Sequence, residues 1–508
     1  MTGLSRLFER HRPTWLLFLF FQALYALTSS GNAFRVPDEF EVYYQAEHLV
    51  DAGDLSVPQA LPRGLFFGRL GVDGKAYAPY GPLAAILTVP HHLLARGIAR
   101  MVGVPRGTQT WTFLVSGLTM LSTATAAALA VVGFYRAALA LQAGATTALL
   151  LSMMLGTATV LWPYGTSLYS EAWQAAALIW AAVHLLERRV MPAALLLLGV
   201  VLIKVTVLIL LPGFVVAALM DRSAPVAARV RVAIALTAAI GVAVSIHLAW
   251  NIFRFGNPFE FGYSWSEMIP VLPARAFSIA DLPRGLAVLL LSPGKSLLLW
   301  VPAIWLSITR VRECPRAVLV GILVSLGSGL VFYGAYVFPD GGYAHGPRHL
   351  VPIVPLLLLP AAAGGRPWRR GTVWSCFAVG AMIACLSVSI SFLQDQSLGT
   401  TLDRVGYYDR IDPAPGRAWN RYRLSYVPFV RAITSGEWPR SQAPGTGVDF
   451  FWLHLARVRA TIPGGRVIPG WLPWTIPSIW TLILIASAFQ LFRSGAGSSL
   501  GLEADALQ

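Results

Sequence analysis

Apolar stretches of membrane-spanning length recur along the chain, at 15–34, 80–103, 111–135, 143–162, 169–186, 190–220, 230–253, 285–309, 317–338, 349–364, 371–393 and 474–492. Hydrocarbon offers no partner to an open N–H or C=O, so such stretches can only be helices. The expectation is an all-α polytopic membrane protein with about 11–13 transmembrane helices. Composition agrees: 56% of the 508 residues are hydrophobic and 12% are charged, which excludes a soluble globule. A net charge of +15 would suggest nucleic acid in a soluble protein. Here the arginines concentrate in short connections between apolar stretches, where they orient helices and face anionic lipid, and no nucleic-acid partner is implied. Cys314, Cys376 and Cys385 lie beside or within apolar stretches, without the spacing of a disulfide framework or a zinc site.

Basic residues set the expected topology. Arg6, Arg10 and Arg12 precede the first stretch, which is too long for a signal-peptide core, so it reads as a retained helix with a cytoplasmic N-terminus. Clusters at Arg188 and Arg189, at Arg222, Arg229 and Arg231, at Arg310, Arg312 and Arg316, and at Arg366, Arg369 and Arg370 belong on that same side. Residues 35–79, 254–284 and 394–473 are then external, 474–492 is the final span, and 493–508 is a cytoplasmic tail. The segment 190–220 has inside signals at both ends, which predicts two short helices turning near Lys204 and Pro212. The segment 80–103 is expected to break at Pro90; with His91, His92, Arg96 and Arg100 it reads as an interfacial helix. In the first loop, Phe40 to Leu55 has helical spacing, with Tyr43, Tyr44, Ala46, Leu49 and Val50 forming a face that would lie on the bilayer.

Chemistry-bearing residues gather at the external ends of these helices. Asp38 and Glu39 follow the first span, and serve either as a base with its orienting partner or as helix-entry acids. Of 39 Lys and Arg residues, only Lys75, Lys204 and Lys295 are lysines. Lys204 sits in Leu-Ile-Lys-Val-Thr, where a charge costs several kcal/mol unless it is paired, reaches a wet cavity or snorkels from a short-helix tip. Lys295 follows Ser-Pro-Gly and Arg348 follows Gly-Pro, each at an external helix start; a cation beside helix N-terminal amides binds phosphate, or else anchors the helix. Glu171, at a helix mouth, is either a second external carboxylate or a dipole-favoured acid. Tyr263 closes an aromatic loop that either stacks on a sugar or an isoprene chain or anchors at the interface, and His345 is a further candidate.

These features in order, Asp-Glu after the first helix, Tyr-Ser-Glu at a later helix mouth, Lys204 within the membrane, the Arg-Phe-Gly-Asn-Pro loop, the Ser-Pro-Gly-Lys turn and the Gly-Pro-Arg-His-Leu helix start, resemble the GT-C glycosyltransferases. The likeness is to the bacterial branch holding protein O-mannosyltransferases and lipid A aminoarabinose transferases. It covers about residues 14–393, so 1–393 would be a GT-C-like catalytic module with external loops 35–79 and 254–284. The resemblance implies a polyprenyl-phosphate-linked sugar as donor, an acceptor that it does not specify, a bacterial inner-membrane location, an external site and inversion at the anomeric carbon. Asp38 would be the base, with Glu39 beside it, and Lys204, Lys295 and Arg348 would hold the donor phosphate. No cofactor is implied; a divalent metal is not favoured, since Asp38 and Glu171 lack the dense carboxylate cluster of a dedicated cation site. The alternative is a transporter or flippase of a lipid-linked or anionic solute, which would also use buried cations and broken helices.

Overall fold

The computed structural model describes residues 12–63, 66–263, 276–292, 294–339, 341–342, 344–364, 368–389, 448–462 and 464–505. Its longer elements are α1 (Arg12–Thr28), α2 (Pro37–Ala52), the strands β1 (Arg69–Leu70) and β2 (Ala76–Tyr77), α3 (Pro82–Met101), α4 (Gln109–Thr119), α5 (Leu121–Ala140), α6 (Ala145–Thr157), α7 (Glu171–Leu186), α8 (Val190–Ile203), α9 (Pro212–Met220), α10 (Val226–Phe255), α11 (Leu282–Leu291), α12 (Arg316–Gly334), α13 (Arg370–Ser389), α14 (Phe451–Thr461) and α15 (Leu472–Asp505). The strands pair antiparallel, Arg69 with Tyr77 and Leu70 with Ala76. Among the described residues five segments are long and apolar enough to cross a membrane: Gln109–Ala140, Val226–Phe255, Arg316–Gly334, Arg370–Ser389 and Leu472–Arg493. The protein is an all-α membrane protein; among the described residues the remaining apolar stretches form shorter or less apolar helices.

Proline interrupts two of the apolar stretches, because it removes a helix donor and clashes with the preceding turn. The stretch 285–309 divides into α11 and two short helices, Leu297–Trp300 and Ile304–Ile308, with Pro302 between those two. The stretch 349–364 becomes a 3-10 turn at Arg348–Ile353 containing Pro352, then two short helices opening around Pro355 and Pro360. Pro90 behaves otherwise. The break expected there is absent, and α3 runs through it for 20 residues.

The helices differ in how they meet their surroundings. In Gln109–Ala140, 83% of the most apolar window is buried, against 22% in α10 and 11% in Leu472–Arg493, so α5 is central and α10 and α15 are peripheral. Small residues allow that centrality: Ala127, Ala128 and Ala130 are fully buried, and a side chain at Gly133 would meet Ile179 at 2.8 Å on α7.

Two local features place the site. The first is α2, which begins at Pro37 rather than Phe40, because Pro is pre-set for the first helical position and lacks only a donor that would be unpaired there. Asp38 and Glu39 therefore lie inside its first turn, and Gly53, with φ 77°, ends it. The tyrosine face does not lie on lipid. Tyr43, Tyr44 and Ala46 are buried, the Tyr43 ring meets His92 of α3 edge-on at 5.6 Å, and Arg96 of α3 reaches Asp51 at 2.6 Å.

The second feature is the turn at 190–220. α8 ends at Lys204, whose backbone is extended (φ −154°, ψ 120°), and the chain returns through a 3-10 turn (Val205–Leu210) and α9. Its two ends meet: Arg188 pairs with Asp221 and donates to Ser223 Oγ at 2.5 Å. Carbonyls freed by the turn are taken up by α12, where Ser325 Oγ donates to Leu210 O at 2.7 Å and Ser328 Oγ to Ile209 O at 2.6 Å. The hairpin expected from the charge pattern is thus present.

Near the C-terminus, residues 394–447 of the expected external region lie outside the described residues, as do 264–275 of the second loop. α14 docks on the end of α1: Phe451 N donates to Ser29 O at 2.8 Å and Trp452 Nε1 to Ala26 O at 3.0 Å. The final apolar span, Leu472–Arg493, belongs to α15, which runs on as helix to Asp505.

Candidate functional site

Four charged residues far apart in sequence converge. Asp38 comes from the first turn of α2, Glu171 from the first residue of α7, Lys204 from the hairpin turn and Arg348 from the start of the 3-10 turn. Arg348 Nη2 donates to Asp38 Oδ1 at 2.6 Å and Nη1 to Asp38 Oδ2 at 3.1 Å, a two-point fork. Arg348 Nε donates to Glu171 Oε1 at 2.9 Å, and Lys204 Nζ reaches the same oxygen at 3.3 Å. Two carboxylates thus balance two cations. The side chains are little exposed: 16% for Asp38, 13% for Lys204, 7% for Arg348 and 4% for Glu171, so Asp38 lies nearest to solvent.

Backbone and aromatic neighbours fix Arg348. The guanidinium lies 4.2 Å from the Tyr169 ring centroid, and Nη1 also reaches Gly341 O at 3.5 Å. Gly341 is required twice over, since its φ is 74° and a Cβ there would stand 2.7 Å from Arg348 Cβ. Lys295 stands one layer back. Its Nζ donates to Gly342 O at 3.0 Å and to Ala344 O at 2.5 Å, so it braces the loop that carries Gly341. Among the contacts described it does not join the carboxylates.

Burial disfavours ionised Asp38, but the charge and hydrogen bonds of Arg348, with Lys204 and the Tyr80 hydroxyl, outweigh it and hold the carboxyl at about 2. Glu39 is differently placed. Its carboxylate accepts from Arg35 Nε at 2.9 Å, Arg35 Nη2 at 2.5 Å and Leu168 N at 3.0 Å, so it ties α2 to the segment before α7. Arg35 in turn lies 4.0 Å from Asp449, joining this wall to the segment before α14. One turn beyond Asp38, fully buried Glu41 accepts from Phe67 N at 2.8 Å through Oε1, while Oε2 has no hydrogen-bond partner among the described residues. Burial pushes its carboxyl well above the ordinary range, against the weaker opposing effect of the Phe67 backbone hydrogen bond. Tyr80 and Tyr263 stand within electrostatic reach of Asp38 and Glu41, and burial raises both phenols, which stay protonated donors.

The structure therefore brings together Asp38, Glu171, Lys204 and Arg348, with Tyr263 beside them. It gives Glu39 and Lys295 bracing contacts. His345 lies further along the loop, where its carbonyl accepts from Tyr164 OH at 3.0 Å and its ring lies 6.2 Å from Trp300. Sequence reasoning passed over Gly341 and Glu41, read Tyr80 as part of a reverse turn that could line a cleft, and named Tyr169 only within the Tyr-Ser-Glu motif. Of the two passed over, only Glu41 carried a usable signal, three residues after Asp38 and so on the same helix face. Among the described residues no group of three or more His, Cys, Asp or Glu side chains is placed to hold a metal ion.

Fold and site together define an all-α membrane protein with a charge-balanced, tyrosine-lined polar centre built from four separate elements. No protein-family model, curated protein or solved structure matches the chain.

Proposed function

We propose that the chain is an inverting membrane glycosyltransferase that moves a sugar from a polyprenyl-phosphate carrier to an acceptor hydroxyl on the external face of the membrane. The observation that carries this reading is the fork of Arg348 on Asp38 with Lys204 tied in through Glu171, a base candidate in direct contact with a pair of fixed cations. The ordered motifs resembling GT-C enzymes supply the donor class.

In the reaction, the acceptor oxygen attacks the anomeric carbon and its proton passes to the Asp38 carboxylate. The bond from the anomeric carbon to the phosphate oxygen breaks, and its electron pair leaves with the polyprenyl phosphate. Negative charge grows on that phosphate, which Arg348 and Lys204 stabilise. Tyr80 and Tyr263 offer hydroxyl donors and ring faces to a sugar. Glu171 holds the two cations together, while Glu39 and Lys295 hold the walls.

The hairpin break at Lys204 also suits a transporter of an anionic solute. Purified protein in liposomes, supplied with labelled polyprenyl-phosphate sugar and a panel of hydroxyl acceptors, separates the two. Label appearing covalently on an acceptor supports the transferase, whereas label that changes leaflet without leaving its carrier supports the transporter.

A further inference from the structure

We infer that Asp38 and the donor phosphate compete for the same face of Arg348, so that binding of the anion releases the carboxylate that acts as base. This rests on the phosphate assignment proposed above and adds an order of events to it.

A carboxylate and a phosphate present the same pair of oxygens to a guanidinium. The Nη1–Nη2 edge of Arg348 is occupied by Asp38, at 2.6 and 3.1 Å, so an anion that takes that edge in a two-point fork must displace the carboxylate. The guanidinium itself is held in place. Its Nε is fixed by Glu171 at 2.9 Å and its face lies on Tyr169, so Asp38 is the contact that gives way. Exposure points the same way, since Asp38 is 16% exposed and Glu171 only 4%. Glu171 is thus a positioning residue: its Oε1 keeps Lys204, at 3.3 Å, beside Arg348 when Asp38 departs.

Once off the guanidinium, Asp38 faces Lys204, the Tyr80 and Tyr263 phenols, buried Glu41, and Glu39 with its Arg35 partner. Losing its strongest cation makes it a better proton acceptor at the moment when the leaving group is seated. Donor occupancy and base strength are then one event. The acceptor hydroxyl meets an effective base only when a lipid phosphate is seated on Arg348.

The test uses the full-length protein in lipid nanodiscs and a polyprenyl phosphate without sugar as probe, with dissociation constants measured for wild type, Arg348→Ala, Asp38→Asn and the double variant. Competition predicts that Arg348→Ala weakens binding and that Asp38→Asn tightens it, each on the order of tenfold. It also predicts that Asp38→Asn has no effect once Arg348 is gone. Tightening that persists in the Arg348→Ala background would be through-space electrostatics and would overturn competition, as would unchanged affinity in Asp38→Asn. Unchanged affinity in Arg348→Ala would remove the phosphate assignment itself, and competition with it. In the wild-type protein, carbodiimide modification of Asp38, mapped by mass spectrometry, should rise on adding the polyprenyl phosphate. No rise overturns the release without recourse to any variant.

Discussion

Arg348→Ala should destabilise the protein, and Asp38→Asn should partly restore it. Removing the guanidinium leaves Asp38 and Glu171 with Lys204, whose Nζ bonds Glu171 and not Asp38 among the described residues. Breaking a buried ion pair by deleting one partner costs about 3–5 kcal/mol, and the 16% exposure of Asp38 puts this case near the lower bound. Asp38, held at about 2 instead of near 4, contributes about 2 kcal/mol of stability at neutral pH. That contribution vanishes with Arg348, and the neutral amide then removes the uncompensated charge. The double variant should therefore lose about 2 kcal/mol less than the sum of the single variants. Thermal midpoints of all four proteins, in one detergent and at one scan rate, measure this. Strict additivity would refute the claim that these two groups stabilise each other.

Three further outcomes follow from the same geometry. Because the folded-state carboxyl of Asp38 is depressed, its contribution is full above about pH 4 and is lost as pH falls through about 2; the acid-side decline in thermal midpoint should be steeper in wild type than in Arg348→Ala, and parallel curves would contradict this. Burial raises the Glu41 carboxyl above its unfolded value, which costs stability as pH rises above ~4, so Glu41→Gln should raise the thermal midpoint at neutral pH, with the gain shrinking toward pH ~4; a pH-independent change would show that its ionisation is not involved. Cysteines placed just before Met191 and just after Met220 should be labelled by an impermeant thiol reagent from the same side of the membrane, since Arg188 meets Asp221; labelling from opposite sides would disprove the hairpin.

Much of the fold was legible because lipid imposes a single rule: apolar stretches must be helices, and short basic connections must share a side. That rule located the 190–220 hairpin from its flanking arginines. It said less about continuity, which depends on packing. Pro90 is carried inside an unbroken α3, whereas prolines around 352–360 leave only short turns. The tyrosine face of α2 was assigned to lipid because periodicity shows that a face is buried but not what buries it; α3 does so here. In the site, Asp38, Glu171, Lys204 and Arg348 stood out because a charge in or beside an apolar stretch is costly and needs a reason. Their partners did not stand out. That Glu39 binds Arg35 and Leu168 N, or that Lys295 binds carbonyls, depends on distances no sequence pattern encodes.

The central claim is that Asp38 receives the acceptor's proton during sugar transfer from a lipid phosphate. Its most direct test is single-turnover transfer by wild-type and Asp38→Asn protein in liposomes loaded with labelled polyprenyl-phosphate sugar, with donor binding measured on the same preparations. Loss of a general base predicts a fall in turnover of ~100-fold or more, with donor binding retained or tightened and an inverted anomeric product from the wild type. Near-wild-type turnover in Asp38→Asn, or retention of anomeric configuration by the wild type, would contradict the account.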